Sequence, residues 1–306
     1  MTDKTINESE NTIMILCMFL IGLTGVLLGI NGLIVVRKNS FLRGIVRHYL
    51  YVDLTNFILI NGCHLTWGVP CALWSLDSLS AVNYIFSDIV NGASSMGSLP
   101  KLFLGINRIL AISFGGRYHD RFERTKWFQY FLMAFWPSCT MTAFAMPDCH
   151  AIFVPNGQNF FFVQNTPCAL DVMYYTQVLA PYIFLPLSTF FDASVFIMMH
   201  RRVRQLTRSR QQMSYQKSDQ LRKEYKLAAQ MVTNMFSGFT VTFAVAIGQN
   251  YISSPMPSFL MWTALWQGCC AVQCLTYVIL LREVRPSERK TQPISTVSMQ
   301  TTIRVD

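Results

Sequence analysis

Seven apolar segments of 20 to 26 residues dominate this 306-residue sequence and restrict its fold more than any other feature. The first of them, Ile13–Val36, has 24 residues and no charged side chain. A helix rises about 1.5 Å per residue, so each segment is long enough to cross the roughly 30 Å hydrocarbon core of a bilayer. The predicted spans are 13–36, 49–74, 82–107, 127–146, 174–199, 227–252 and 259–281. We therefore predict an all-α membrane protein, a seven-transmembrane helix bundle.

Composition agrees with a lipid bilayer as the surrounding medium. Hydrophobic residues make up 52% of the chain and charged residues only 13%. The net charge of +9 comes from short basic runs between apolar segments, so no basic domain is available to bind nucleic acid. The sequence also has no repeat at a fixed period and no long linker, which predicts one domain.

Lysine and arginine fall almost entirely on one side of the predicted bundle. The linkers 37–48, 107–127 and 200–226 and the tail 282–306 hold 23 of the 25 basic residues. Because cytoplasmic loops are enriched in lysine and arginine, this predicts an extracellular N-terminus and a cytoplasmic C-terminus. The predicted divisions are an extracellular tail (1–12), a seven-transmembrane domain (13–281) and a cytoplasmic tail (282–306).

The N-terminal tail lacks the basic region that begins a cleaved signal peptide, so we expect the first span to be retained. Asn7-Glu-Ser9 in this tail is an N-glycosylation acceptor, and it falls on the side that the charges predict to be extracellular.

Four charged residues interrupt the predicted spans: Asp53, Asp88, Lys101 and Asp192. Charges are costly inside a membrane, so each is expected to face the bundle interior or a water interface. Asp53 and Lys101 both belong to the inner half, where an ion pair would satisfy both. Asp88 belongs to the outer end of the third span, where an interfacial acid is favoured over a counterion for the ligand.

Three cysteines are predicted to face outward, where disulfides persist: Cys71, Cys149 and Cys168. Three pairings are open, Cys71 with either of the others or Cys149–Cys168 within one loop. We favour Cys71–Cys168. The remaining cysteines lie within spans, where cysteine usually acts as a small apolar residue.

The third span ends in Asn107-Arg108-Ile-Leu-Ala-Ile, followed by Tyr118 and Phe122. An arginine at a membrane border either snorkels to the interface or works inside the bundle. Two further stretches accompany this one: Gly29–Val36, which contains Asn31, and His64–Cys71, in which Pro70 is expected to kink the second span. Together the three stretches resemble a known family. The sequence is similar to nematode seven-transmembrane chemoreceptors of the serpentine receptor class x (Srx) group, within the rhodopsin-like G-protein-coupled receptor superfamily.

The resemblance covers roughly residues 13 to 285 and implies a signalling switch formed by Asn107, Arg108 and Tyr277. The sequence also departs from the wider superfamily. Asn107 replaces an acidic partner of the arginine, Gly115-Gly116 replaces a common proline, and Gln273-Cys-Leu-Thr-Tyr277 retains only the tyrosine of its motif. Tyr277 is equally compatible with an aromatic anchor at the inner interface.

The resemblance implies a receptor that binds an external small-molecule or peptide ligand and activates a heterotrimeric G protein. It also implies the plasma membrane, with a sensory cilium as one setting. The ligand cavity is expected to include the 147–173 loop, whose Phe160–Val163 run is either a lid or a membrane-facing patch. No zinc-protease or serine-hydrolase motif occurs, so we predict no enzyme activity and no metal or cofactor. The alternatives are a polytopic membrane transporter, which no inverted repeat supports, and a non-signalling seven-helix membrane protein.

Overall fold

The computed structural model describes residues 8–40, 42, 44–113, 118–155, 158–208, 215–251 and 254–282. Within these ranges the long helices group into seven spans, as predicted. Asn7 and the tail beyond 282 lie outside the described residues, as do Gly115-Gly116.

The first span is α1 (Glu8–Lys38), which begins five residues before the predicted apolar segment. Acidic residues in its first turn and basic residues in its last turn complement the helix dipole, so the helix continues past the apolar residues. One face is buried, with its residues at spacings of three or four: Met14, Met18, Gly22, Gly25, Gly29, Gly32 and Val36. The glycines allow α1 to pack closely on the second and seventh spans.

A π-helical turn interrupts the second span at the place where the sequence predicts a kink. The span consists of α2 (Ile45–Cys63), the π-helical turn (His64–Gly68) and α3 (Val69–Trp74). Pro70 cannot donate to the helix ladder and its ring crowds the carbonyl four residues earlier, so the wider turn relieves that conflict.

The third span is broken near its middle. It consists of α4 (Ser80–Met96) and α5 (Ser98–Ile112), separated by a turn at Gly97. Pro100 lacks the N–H that would bond to the Met96 carbonyl, and proline is tolerated in a first helical turn, so the helix restarts at Ser98. This break was not predicted from hydropathy.

The fourth to seventh spans complete the bundle. A short helix α6 (His119–Arg124) precedes the fourth span, α7 (Lys126–Phe144). The fifth comprises α8 (Pro167–Met173), a π-helical turn (Tyr174–Leu179) and α9 (Ala180–Arg208). The sixth is α10 (Tyr215–Tyr251). The seventh comprises α11 (Pro255–Phe259), a π-helical turn (Leu260–Ala264) and α12 (Leu265–Leu281).

Four spans of the described chain are long and apolar enough to qualify individually as membrane crossings: Glu8–Lys38, Ile45–Trp74, Pro167–Arg201 and Pro255–Leu281. The third span does not qualify because Gly97 divides it into helices of 17 and 15 residues. The fourth and sixth carry more polar side chains, several of which turn inward, including Gln129, Gln230 and Asn234.

A β-hairpin that was not predicted from the sequence caps one end of the otherwise helical bundle. Strand β1 (Ala151–Val154) pairs antiparallel with β2 (Phe160–Val163), and Phe153 lies opposite Phe161. Alternate residues of both strands are buried, as expected for a hairpin with one face on a core. We call this end of the bundle the hairpin end, and the end at which α1 and α5 terminate the Arg108 end.

Candidate functional site

The break at Gly97 brings three polar side chains together in the middle of the bundle. A Cβ atom on Gly97 would lie 2.8 Å from Asn56 Nδ2, 3.2 Å from Asp53 Oδ1 and 3.6 Å from Lys101 Nζ. Any larger residue would therefore push against the polar groups of the second span. Because glycine has no side chain, Asp53 and Lys101 have room to approach each other beside Gly97.

Asp53 is the centre of a small hydrogen-bonded cluster. Its Oδ1 lies 3.3 Å from Lys101 Nζ, and its Oδ2 accepts a hydrogen bond of 2.7 Å from the Tyr277 hydroxyl. Lys101 Nζ also donates to Gln273 Oε1 at 3.4 Å. We call Asp53, Lys101, Gln273 and Tyr277 the polar core. The ion pair suggested by the sequence is present, and the polar core connects the second, third and seventh spans.

Tyr277 is not an interfacial aromatic anchor. Its side chain is 1% exposed and its hydroxyl is committed to Asp53. Gln230 and Asn234 of α10 also interact electrostatically with this hydroxyl, although both side-chain amide atoms of Gln230 lack a hydrogen-bond partner among the described residues. The sixth span therefore borders the polar core with amides that have hydrogen-bonding capacity to spare.

Asp192 lies against the third span beside the polar core. The side chain is buried, and its Oδ1 would lie 3.3 Å from a Cβ atom on Gly105. It interacts electrostatically with Lys101. Lys101 thus interacts with two buried carboxylates, and its positive charge offsets part of the free-energy cost of burying them.

A central cavity of about 360 Å³ opens above the polar core. Asn56, Lys101 and Gln273 form its floor. Its walls include the aromatic side chains of Phe57, Phe184, Trp262 and Trp266, the hairpin residues Phe161 and Phe162, and polar side chains such as Asn91, Ser94 and Gln177. The volume and the combination of aromatic and polar lining groups suit a small organic ligand. Of the two interpretations of Phe160–Val163, the structure supports the lid.

Two side chains of α4 hold the hairpin over the cavity. Asp88 Oδ1 accepts from the Ala151 backbone N–H at 2.9 Å, and Asp88 Oδ2 lies 3.0 Å from His150 Nδ1. Asn83 accepts from the Phe153 N–H at 2.8 Å and donates to the Phe153 carbonyl at 3.1 Å. Asp88 is only 8% exposed, because the hairpin that it binds covers it at this end of the third span. It does not line the cavity.

The structure pairs Cys149 with Cys168, and Cys71 is a buried free thiol. The preferred Cys71–Cys168 bond is therefore corrected. The physical reason is the hairpin, since antiparallel pairing of Ala151 with Val163 returns the chain beside Cys149 just before α8 begins. The disulfide ties the base of the hairpin to the fifth span.

The other predicted residues lie apart from the polar core. Asn31 is on the exposed face of α1, because the glycines occupy the buried face, so it is not an interior polar group. Asn107 is 2% exposed, and its Oδ1 has no hydrogen-bond partner within the described ranges. Arg108 beside it is half-buried at the Arg108 end.

Sequence reasoning missed Asn56, Asn83 and Gly97. A signal for Asn56 was available, since it follows Asp53 by three residues and shares its helical face. Asn83 and Gly97 gave no such signal, because their roles depend on the hairpin and on the neighbouring span.

Seven packed spans around a capped, partly polar cavity define a seven-helix membrane protein with a ligand-sized central site. Squid rhodopsin, a solved crystal structure, has a similar fold, with a TM-score of 0.64 over 90% of this chain and 83% of that one, at 8% sequence identity. No curated protein matches the sequence.

Residues 19–280 match the family described as serpentine type 7TM GPCR chemoreceptor Srx. The chain belongs to this family, and it is a multi-pass membrane protein of the G-protein-coupled receptor class. The resemblance derived from the sequence is thereby confirmed.

Proposed function

We propose that this chain is a chemosensory receptor that binds an external small molecule in the central cavity and activates a heterotrimeric G protein at the Arg108 end. One observation carries the proposal: Lys101 both lines the cavity and pairs with Asp53, which in turn holds the Tyr277 hydroxyl. The cavity and the candidate switch residue are thus two contacts apart. The plasma membrane, with the hairpin end facing outward, is the proposed location, and a sensory cilium is the particular setting.

Ligand binding acts by shifting the balance between two packings of the bundle. A ligand that draws the Lys101 ammonium towards the cavity weakens its pairing with Asp53. Asp53 then holds Tyr277 differently, and the seventh span is freed to move against the sixth, where Gln230 and Asn234 offer alternative partners. Such a ligand favours the active packing only by the difference between its affinities for the two packings.

The Arg108 end has features suited to docking a G protein. Helix α9 runs on to Arg208 and α10 starts at Tyr215, so both continue beyond the predicted apolar segments. Arg201 and Arg204 on this extension are exposed. A positively charged surface attracts an acidic partner as well as anionic lipid headgroups.

The test compares nucleotide exchange by a G protein for wild type, Arg108→Lys and Asn107→Asp at matched surface density. Lysine keeps the charge of Arg108 but not its planar fork of donors, so we expect normal insertion and weaker exchange. Asn107→Asp places a carboxylate beside Arg108, and we expect it to lower basal exchange.

The matched control is Arg124→Lys, which makes the same chemical change at an exposed position of α6. It is expected to leave exchange unchanged. If both test variants behave like the control, Arg108 is only an interfacial anchor and the proposed switch is rejected.

A further inference from the structure

The Lys101 ammonium has hydrogen-bonding capacity directed at the central cavity. An ammonium group carries three N–H donors. Two partners are found for it among the described residues: the ion-pair partner Asp53 Oδ1 at 3.3 Å and the hydrogen-bond acceptor Gln273 Oε1 at 3.4 Å. The side chain is 27% exposed although it lies in the middle of a span, and it is part of the cavity floor. The third donor is therefore available to a molecule in the cavity.

Lys101 is also the one charged residue among the described residues that line this cavity. The carboxylates that interact with it, Asp53 and Asp192, do not line the cavity. Its ammonium lies 5.1 Å from the centroid of the Phe57 ring, which helps to hold it at the wall. A ligand therefore meets a cation at the floor and meets no described carboxylate on the lining.

Beyond the floor, the lining combines aromatic rings with polar side chains such as Asn91, Ser94 and Gln177, which hydrogen-bond to one another or to the backbone. Trp262, Trp266 and Phe184 present rings, and Phe161 and Phe162 add two more from the hairpin. The cavity of about 360 Å³ limits the occupant to a small molecule. Such an occupant buries its body against rings and presents one acceptor group to the floor.

We propose that the ligand is a small carboxylic acid whose carboxylate binds the Lys101 ammonium and whose apolar or aromatic body fills the space beneath the hairpin. This rests on the proposed receptor function and adds the chemical class of the ligand. A carboxylate forms a charge-assisted hydrogen bond with an ammonium, about twice as strong as the bond of a neutral acceptor. We expect an acid to bind about ten- to hundredfold more tightly than its methyl ester.

The experiment measures binding as thermal stabilisation of the purified full-length receptor, which needs no G protein. The probes are phenylalkanoic acids and saturated six- to ten-carbon acids, each with its methyl ester and with the amine of the same carbon skeleton. We expect at least one acid to stabilise the wild type while its ester and amine do so only at much higher concentration. Lys101→Arg should retain the effect, since it keeps the positive charge.

Lys101→Met should abolish stabilisation by the acid. Because Lys101→Met leaves Asp53 uncompensated, the same test is repeated in Asp53→Asn/Lys101→Met, which removes both charges. The matched control is Lys126→Met, at an exposed position of α7, where the response should equal that of the wild type.

Three results overturn the proposal: no acid stabilises the receptor, an ester or amine does so as well as its acid, or the acid acts equally on the Lys101→Met variants. The receptor function is judged separately by nucleotide exchange. If an amine or ester stimulates nucleotide exchange, the proposal of a carboxylic acid ligand is rejected and the proposed receptor function is retained. An acid that stabilises through Lys101 without altering exchange retains the site and rejects the receptor function.

Discussion

At the scale of single residues, Lys101 links the central cavity to the buried part of the bundle. The pair that it forms with Asp53 is a costly arrangement, because both groups leave water and only good geometry recovers the loss. Asp53 is 2% exposed, so it depends on Lys101 and Tyr277 for compensation. This dependence makes the pair sensitive to the loss of either charge.

The first residue-scale prediction is that Asp53→Asn destabilises the receptor. Loss of one partner of a buried ion pair typically costs about 3–5 kcal/mol, since the other charge remains buried. Asp53→Asn/Lys101→Met should recover much of this loss. Thermal unfolding of the purified variants measures both effects.

Asp77→Asn serves as the control, because Asp77 is exposed and undergoes the same chemical change. It should unfold like the wild type. A double variant no more stable than Asp53→Asn would show that the two charges do not compensate each other.

At the scale of elements, the hairpin and the broken third span determine the shape of the cavity. The hairpin closes one end, and α4 holds it through Asp88 and Asn83. The break at Gly97 opens the other side towards the polar core. Neither feature belongs to the apolar pattern of the chain, yet together they produce a covered cavity with a charged floor.

We predict that Asp88→Ala loosens the hairpin while leaving the bundle folded. The substitution removes the acceptor for the Ala151 N–H and the partner of His150, but the Cys149–Cys168 disulfide still ties the base of the hairpin. Amide hydrogen exchange in the peptide covering 151–163 should become faster. Asp171→Ala, at an exposed position of α8, should leave that exchange unchanged. If amide hydrogen exchange in this peptide is equally slow in both variants, contacts other than those of Asp88 keep the hairpin in place.

At the scale of the whole molecule, the asymmetry of basic residues predicts the orientation of the bundle. Four stretches contain 23 of the 25 lysines and arginines. The hairpin end is the opposite side and carries the Cys149–Cys168 disulfide, as expected if this end faces an oxidising extracellular space. The two features point to the same orientation independently.

The corresponding prediction concerns epitope tags in intact cells. Tags within 200–226 or after Arg285 should be protected from antibody, whereas a tag at the N-terminus should be labelled and Asn7 should carry a glycan. Permeabilised cells supply the control, in which every tag is labelled. Labelling of the C-terminal tag without permeabilisation would reverse the orientation.

The sequence by itself determined the membrane environment, the seven spans and the family, because hydropathy and short motifs are local properties of the chain. It also indicated Asp53 and Lys101 as partners, since both are charges that a bilayer penalises. The tertiary structure decided the rest. Tyr277 reaches Asp53 across 224 positions of sequence, and no local pattern records such a contact.

The same reason explains the errors. The hairpin register places Cys149, and not Cys71, beside Cys168, and Asn31, whose direction the sequence did not predict, lies on the face of α1 opposite its packed glycines. In each case a side chain acquired its role from the element packed against it. Which elements pack together is decided by the shape of the whole bundle, which the apolar pattern does not encode.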